Sequence, residues 1–252
     1  MGVSIVLSSY KRPHLLRLGL SSIAAQDVKD VEVIVVNDGV NDDTEKICNK
    51  FAGKQKLKYI FSGQRNLSGD KPRVSGFALN IGVRAALYDK IILSCPEIYH
   101  LNNCIGLITA PLDNNPKALV IPQNMWFDEI GEYTTQLMIG QIPTTIRCEL
   151  RDDHVQMPFL MGMWKKEFID IGGYDEDFTG YASEDNDFVD RLKLNGCLFL
   201  RVPAQIVHLF HGRHKMSGTS WDNPAWAYNR NIYISRKDII IRNQDREWGK
   251  NE

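Results

Sequence analysis

The sequence predicts a single α/β domain built on a mainly parallel β-sheet flanked by helices. Short apolar runs rich in β-branched residues alternate with helical patterns, and several of these runs end directly in polar residues. Strand–helix–strand order requires crossover connections, which make neighbouring strands parallel. Because 252 residues are enough to bury one large core, we favour one domain over residues 1–252.

The elements of the first half can be placed in chain order. Predicted strands lie at 3–7, 31–36, 57–61 and 90–93, and predicted helices lie at about 13–18, 42–51 and 76–87. Pro13 suits a helix start, because its φ is fixed and its missing N–H is not needed there. Ligands of parallel α/β sheets bind beyond the carboxyl ends of the strands. The polar residues that follow the first, second and fourth strands are therefore the first candidates for a site.

The second half is less regular. We expect a strand at 118–121 that ends at Pro122, and a long loop over 124–157, where no clean period is visible. The apolar run 158–164 leads into a short helix that begins near Lys165. A helical tail is predicted over 223–252.

Composition excludes several classes of partner. Thirty basic residues stand against 31 acidic ones and no long basic patch occurs, so nucleic acid and anionic membranes are poor candidates. The five cysteines are scattered and form no Cys-x-x-Cys pair, which is typical of a reducing compartment. No apolar run approaches the ~20 residues that span a bilayer, and no signal peptide is visible. We therefore expect a cytoplasmic protein without a transmembrane segment, unless the chain was cut from a larger membrane-associated protein.

The strongest motif is acidic. Gly-Gly-Tyr-Asp-Glu-Asp-Phe at 172–178 is followed by Ser-Glu-Asp-Asn-Asp-Phe at 183–188. Asp185 shares one helix face with Phe188, Val189 and Leu192, so its carboxylate begins a core-facing stripe. A carboxylate there is costly unless it has a partner or a chemical task. The alternative is that Glu184 and Asp185 only stabilise the helix start, and the spacing alone leaves both interpretations open.

Both segments closely resemble the acceptor-side segment of chondroitin synthases and β-1,4-galactosyltransferases, which reads roughly Gly-Gly-Phe-Asp-Glu-x-Phe and then Trp-Gly-Gly-Glu-Asp. The resemblance implies a GT-A fold glycosyltransferase of the large inverting family. Such an enzyme moves a sugar from a nucleotide diphosphate, here UDP, to a hydroxyl group of a glycan or other acceptor. It also implies that Asp185 is the general base and that Glu184 holds acceptor hydroxyls. This chain has Tyr-Ala-Ser at 181–183 in place of Trp-Gly-Gly.

The N-terminal half resembles the nucleotide-binding half of the same superfamily. Residues 3–13 are similar to its opening strand and loop, 35–44 to its Val-Asp-Asp-Gly-Ser-x-Asp-x-Thr element, and 76–82 to its Gly-x-Ala-Arg-Asn-x-Gly helix near the diphosphate. By resemblance, the nucleotide-binding residues are Ser8, Tyr10, Arg12, Asp38, Arg73 and Asn80. Arg73 would supply the charge that Leu79 lacks. For Asp38 the alternative is an ordinary polar turn.

The metal site departs from the family pattern. The family carries Asp-x-Asp after the fourth strand, whereas this chain has Ser-Cys-Pro-Glu at 94–97, so Glu97 is the anionic ligand, with His100 as a possible helper. His208 resembles the C-terminal metal histidine of polypeptide N-acetylgalactosaminyltransferases, and His211 is the second choice. A carboxylate with an imidazole favours Mn²⁺ over Mg²⁺. Alternatively, His211 and the basic residues at 213–215, which include His214 and Lys215, clamp the diphosphate without metal.

The resemblance divides the domain into a nucleotide-binding half at about 1–97, an acceptor and metal half at about 98–222, and the tail. Two rival functions remain. The altered Asp-x-Asp position suggests a non-catalytic domain that binds a nucleotide sugar or carbohydrate. A sugar-1-phosphate nucleotidyltransferase would need a Gly-rich loop after the first strand, and residues 8–13 contain no glycine.

Overall fold

The structure is a computed structural model that describes residues 2–39, 41–63, 73–152, 157–180, 182–212 and 224–251. Its strands are β1 (Val3–Ser9), β2 (Val31–Asn37), β3 (Lys56–Phe61), β4 (Lys90–Ser94), β5 (Ile98–His100), β6 (Ala118–Phe127), β7 (Glu149–Arg151), β8 (Leu160–Trp164) and β9 (Leu198–His208). Its α-helices are α1 (Pro13–Ala24), α2 (Thr44–Phe51), α3 (Ser75–Ala85), α4 (Cys104–Thr109), α5 (Glu132–Met138), α6 (Lys165–Asp170), α7 (Glu184–Leu194) and α8 (Pro224–Ser235). A 3₁₀ turn, Ala110–Asp113, follows α4.

The described strands form one mixed sheet in the order β3-β2-β1-β4-β8-β6-β9-β5, with β7 paired to β6. The first four strands by sequence are all parallel, as crossover connections require. The second half adds antiparallel β8 beside β4, and the parallel pair β6 and β9 beyond it. The predicted α/β fold is confirmed, and the sheet runs without a break through both predicted halves.

Three of the four apolar runs of the first half become buried strands, and the fourth, β3, is partly exposed. The apolar residues of β1, β2 and β4 join one core, because β-branched side chains pack well on a pleated surface covered on both faces. α1 begins at Pro13, as predicted. The short helix predicted to begin near Lys165 is also confirmed, as α6, and most of the apolar run before it forms β8.

Three predictions for the second half are wrong. β6 does not end at Pro122 but continues to Phe127, because a register shift between Pro122 and Asn124 accommodates the residue without an N–H. The predicted loop over 124–157 contains the end of β6, helix α5 and strand β7. The tail is helical only in α8, and beyond it Arg242 and Trp248 are buried against the domain.

The helix that carries the acidic pair, α7, buries the predicted stripe of Phe188, Val189 and Leu192. Ser183 occupies the N-cap position with φ +69°, and its side chain makes no capping hydrogen bond. Acidic residues in the first turn and basic residues in the last therefore stabilise this helix through its dipole.

All five cysteines are free thiols. Within the described ranges, no helix is both long enough and apolar enough to cross a bilayer. The expected cytoplasmic location stays a prediction.

Candidate active site

The residues singled out in the first half meet at one edge of the sheet. β1, β2 and β4 are parallel neighbours, and their register pairs Ser9 with Asn37 and Leu7 with Ser94. Their carboxyl ends therefore lie side by side. The segments that leave these ends are 10–12, 38–39 and 95–97, which hold most of the predicted nucleotide and metal residues.

Two predicted nucleotide residues bind each other at this edge. The buried Asp38 carboxylate accepts hydrogen bonds from Arg73 Nη2 at 2.7 Å and from Ser62 Oγ at 3.2 Å. The Arg73 guanidinium also lies 4.0 Å from the centre of the Phe77 ring. Asp38 is therefore held rigidly beyond β2, and Arg73 neutralises its charge.

Ser8 and Tyr10, by contrast, are only partly buried at the end of β1. The ammonium group of Lys11 lies 5.1 Å from the centre of the Tyr10 ring, so the aromatic face carries a positive charge beside it. Both residues follow the buried part of β1 at the predicted nucleotide position.

Asn80 contradicts its predicted contact with the nucleotide. Its side chain is fully buried in α3, donates to the Tyr174 carbonyl oxygen at 2.9 Å and to Glu176 Oε1 at 3.0 Å, and accepts from the Tyr174 amide at 2.8 Å. These bonds use its amide group to hold the chain at 174–176. Asn80 supports the site from behind and does not face it.

The predicted metal residues come together. The register pairs Ile98 in β5 with His208 in β9, and the Leu209 amide donates to the Glu97 carbonyl oxygen at 2.8 Å, so Glu97 and His208 are fixed next to each other. Glu97 Oε1 lies 4.0 Å from His208 Nε2 and 3.6 Å from His211 Nε2. Three residues chosen from segments more than a hundred positions apart therefore form one cluster.

Arg12 joins this cluster instead of an open nucleotide pocket. Its Nη1 forms an ion pair with Glu97 Oε1, the same oxygen that faces both imidazoles. In this structure, therefore, a guanidinium group supplies positive charge at the Glu97 carboxylate.

Cys95 is a member of the cluster that the sequence prediction missed. Ligand atoms of Cys95, Glu97 and His208 all lie within 4.8 Å of one another. The spacing in the sequence could have identified Cys95 as a candidate ligand, because Cys95 and Glu97 have the same i, i+2 spacing as the acids of an Asp-x-Asp motif. Burial raises the pKa of the Cys95 thiol well above its ordinary value, and the neighbouring Glu97 raises it further.

The donor set fits a divalent cation. Glu97 Oε2 is buried and has no hydrogen-bond partner among the residues that the structure describes, which is costly for a carboxylate oxygen. Burial lowers the pKa of His208 to about 4, so this imidazole is neutral at ordinary pH, as a metal ligand must be. A carboxylate, one or two imidazoles and a thiol are typical ligands of transition metals.

Of the other basic candidates, His100 is the one that the structure describes. His100 is not a helper of Glu97, because it is buried behind α1 with Nδ1 2.9 Å from Ser22 Oγ. His214 and Lys215 lie outside the described residues.

The acidic pair lies at the first turn of α7. Tyr174 is fully buried with its ring stacked on Phe188 at 4.1 Å, and its hydroxyl donates to Asp185 Oδ1 at 3.0 Å. Burial raises the pKa of Glu184 to about 8 and that of Asp185 to about 6, while the Tyr174 hydrogen bond lowers the value for Asp185. The charge of Asp185 also raises the pKa of the Cys95 thiol, so the pair and the cluster interact electrostatically.

A buried ionic frame anchors this helix, and sequence reasoning did not identify it. Asp187 receives hydrogen bonds from Arg191 Nε and from Arg242 Nη2, both at 2.7 Å. Arg242 Nε also lies 2.9 Å from Asp175 Oδ2, so the tail ties α7 to the Gly-Gly-Tyr-Asp segment. The i, i+4 spacing of Asp187 and Arg191 was the one local signal.

Two family models match the sequence. The model described as "Glycosyl transferase family 2" matches residues 4–172, and the one described as "N-terminal domain of galactosyltransferase" matches residues 159–215. Chondroitin synthase of Escherichia coli is 26% identical over 245 residues, covering 82% of this chain and 34% of the relative. Validoxylamine A glucosyltransferase of Streptomyces hygroscopicus subsp. jinggangensis is 24% identical over 225 residues, covering 77% and 52%. The chain thus spans between a third and about half of these relatives' length.

Solved structures show the same fold at low sequence identity. GalNAc-T7 with UDP, GalNAc and Mn²⁺ superposes with a TM-score of 0.63 at 13% identity, covering 94% of this chain and 49% of that one. The mannosyltransferase of Pyrobaculum calidifontis with GDP-Man and Mn²⁺ gives 0.59 at 14% identity, covering 93% and 62%. TarS of S. aureus, residues 1–349 in complex with UDP, gives 0.55 at 19% identity, covering 84% and 59%.

Proposed function

The chain belongs to glycosyl transferase family 2 and has the GT-A fold, and from this we propose that it transfers a sugar from a UDP-sugar to a hydroxyl group of a glycan, with inversion. A divalent cation, Mn²⁺ in preference to Mg²⁺, assists. The observation that carries the proposal is the shared location of an acidic pair and a cation-type cluster. Asp185 is close enough to Cys95 to perturb its pKa, at the sheet edge where such folds bind ligands.

The nucleotide is proposed to lie across the ends of β1 and β2. Asp38, held by Arg73 and Ser62, would accept a hydrogen bond from the ribose or the base, and its fixed position lowers the entropy lost on binding. Ser8 and Tyr10 would contact the same part of the donor. UDP is preferred here because the resemblance is to UDP-sugar enzymes, although one neighbour carries GDP-Man.

The acceptor hydroxyl is proposed to be activated by Asp185. Its carboxylate takes the hydroxyl proton while the acceptor oxygen forms a bond to the anomeric carbon; the bond from that carbon to the diphosphate breaks, and its electron pair leaves with UDP. A base with a pKa of about 6 is ionised at neutral pH and still holds a proton well in the transition state. Glu184, protonated in the same range, would donate a hydrogen bond to an acceptor oxygen.

Glu97, His208 and His211 are the residues that would hold the cation. When bound, the cation would neutralise charge that develops on the departing diphosphate. Arg12, already at Glu97, would contribute a second positive charge from the protein itself through hydrogen bonds to phosphate oxygens.

The test is nucleotide release from a panel of UDP- and GDP-sugars, with glycan acceptors and with Mn²⁺, Mg²⁺ or chelator. We expect Mn²⁺-stimulated UDP release that Asp185→Asn abolishes, while calorimetry gives unchanged UDP binding. Asp190→Asn is the matched control, because Asp190 lies on the same helix with a half-exposed side chain. An Asp185→Asn variant that keeps most of its activity would contradict the assignment.

One observation favours the second candidate, a non-catalytic domain that binds nucleotide sugars. Arg12 already neutralises Glu97, so a nucleotide diphosphate could be held by a protein cation alone. On this alternative, UDP-sugars bind with the same affinity in chelator and in Mn²⁺, and no acceptor in the panel elicits UDP release.

A further inference from the structure

We propose that Cys95 is a third protein ligand of the cation site, and that its thiolate makes the site select Zn²⁺ or Co²⁺ far above Mg²⁺. The inference deepens the proposed function, because it concerns the same cation site. Soft thiolate ligands favour zinc-like ions, whereas a site made of carboxylates and water is the environment that Mg²⁺ prefers.

The three ligand atoms are placed by regular structure. Cys95 directly follows β4, Glu97 directly precedes β5, and His208 ends β9, which pairs with β5. Atoms of all three side chains lie within 4.8 Å of one another. Small side-chain movements would bring them to the ~2.0–2.3 Å ligand distances of a zinc ion.

Glu97 gives a second and independent indication of a ligand. Its carboxylate is almost wholly buried, and Oε2 has no hydrogen-bond partner among the residues with described positions. Buried polar atoms without partners are rare and need an explanation, and a cation is the ordinary one for a carboxylate oxygen.

His208 is held ready to be a ligand. Its ring stacks on Phe127 with centroids 4.8 Å apart and meets the edge of Phe159 at 5.5 Å, so packing fixes its direction. Nε2 is the nitrogen that faces Glu97.

Cys95 differs from the other cysteines in what surrounds it. Cys48, Cys104 and Cys197 are fully buried, whereas Cys95 and Cys148 are half-buried. Of these two, Cys95 is the one that forms a group of three possible metal ligands among the described residues, together with Glu97 and His208. A thiol binds a cation as the thiolate, so a cation that binds Sγ displaces one proton to solvent.

The experiment uses the full chain, stripped of metal and titrated with Co²⁺, and measures the near-ultraviolet charge-transfer band that only a thiolate–cobalt bond produces. We expect the band in the unmodified protein, its loss in Cys95→Ser, and its retention in the matched control Cys148→Ser. Equimolar Zn²⁺ should remove the band, and a large excess of Mg²⁺ should not. Circular dichroism checks that each variant folds.

Cys95→Asp tests selectivity separately from the spectrum. Replacing the thiolate by a carboxylate should lower the affinity for Zn²⁺ at least about tenfold and leave the affinity for Mn²⁺ unchanged. Tenfold is the lower end of the loss seen when only a partner of a metal ligand is changed. Cobalt spectra that are identical in Cys95→Ser and the unmodified protein, or no cobalt binding at all, would overturn the proposal. If the same preparation then releases UDP in the presence of Mn²⁺, the proposed glycosyl transfer is supported although Cys95 is not a ligand. Conversely, a charge-transfer band without UDP release would keep the thiolate site and refute the transfer.

Discussion

Replacing Tyr174 by Phe removes one hydroxyl group from Asp185 and leaves the rest of the site in place. The Tyr174 ring is fully buried and stacks on Phe188 with an angle of 5° between the planes, so a phenyl ring keeps the same packing. The resembling families carry Phe at this position. The hydrogen bond from Tyr174 to Asp185 is therefore a feature of this chain that a single conservative change can isolate.

The size and sign of the effect follow from the contact. A hydrogen bond to a charged group contributes about 1.5–3 kcal/mol, and one pKa unit corresponds to about 1.4 kcal/mol. Losing the bond therefore raises the pKa of Asp185 by about one unit or more, from about 6. In the proposed mechanism Asp185 acts as a base only when it is ionised, so the acidic limb of the rate profile should move to higher pH. The substitution does not change the other titratable groups near this contact, which are Glu184, Cys95 and Arg191.

The assay is kcat/KM for UDP release with acceptor, measured from pH 5 to 9 in steps of about half a unit, the spacing that resolves a one-unit shift. Tyr174→Phe should move the acidic limb by about one unit and keep nearly the same rate at high pH. The control is Tyr233→Phe, which removes a hydroxyl that donates to Asp190 on the same helix at 2.6 Å. An unmoved limb in Tyr174→Phe, or equal shifts in both variants, would refute the reasoning.

Three further predictions follow from the contacts. Two variants, Asp38→Ala and Arg73→Ala, should each weaken the binding of UDP and of uridine to the same extent in calorimetry, because Arg73 holds Asp38 in place. Unchanged uridine binding would mean that Asp38 only stabilises a turn. Arg12→Ala should tighten Mn²⁺ binding severalfold, because it removes the guanidinium group that pairs with the Glu97 carboxylate. Mn²⁺ binding is measured as the loss of the paramagnetic resonance signal of the free ion. Equal Mn²⁺ affinities of the variant and the unmodified protein would contradict a competition between Arg12 and the cation for Glu97. At pH values above 8, Glu184→Gln should raise the midpoint temperature of thermal unfolding by at least about 3 °C, the shift that 1 kcal/mol gives in a chain of this size. Below pH 4 the midpoint temperature should not change. The sign follows because the folded-state pKa of Glu184 is raised to about 8, so its stability is present at low pH and is lost as pH rises toward 8.

The first half of the fold was predictable because its strands are local patterns. β1 and β2 are short runs of β-branched residues that end in polar residues. Such runs are typical of strands that are buried on both faces of a parallel sheet. The second half was not, since its elements depend on partners far along the chain. β6 continues past Pro122 because β9 lies beside it, and a donor lost at one position is absorbed by a shift in register.

The site divides in the same way. Glu97 and His208 were found through resemblance, and their contact depends on the pairing of Ile98 with His208, which no local spacing reveals. Asn80 was misplaced because a motif match cannot show which way a side chain points from a buried helix. The ion pair of Arg242 with Asp187 joins the tail to α7 and has no local signature at all.

The acidic pair shows how such distant contacts set the chemistry of a motif. Burial raises the pKa of both carboxyl groups, and two neighbouring carboxylates also resist being ionised together, so near neutral pH the pair holds one proton. Asp185 loses its proton first, because only Asp185 receives the hydroxyl of Tyr174. Glu184 Oε2, with no hydrogen-bond partner in the described part of the chain, keeps the proton. The two residues are adjacent in sequence, and Asp185 is already the slightly stronger acid in isolation. The hydrogen bond from Tyr174 favours ionisation of the same residue, which fits the proposed roles of Asp185 as proton acceptor and Glu184 as hydrogen-bond donor. The proposed transfer to a hydroxyl acceptor uses the ionised member of the pair as its base.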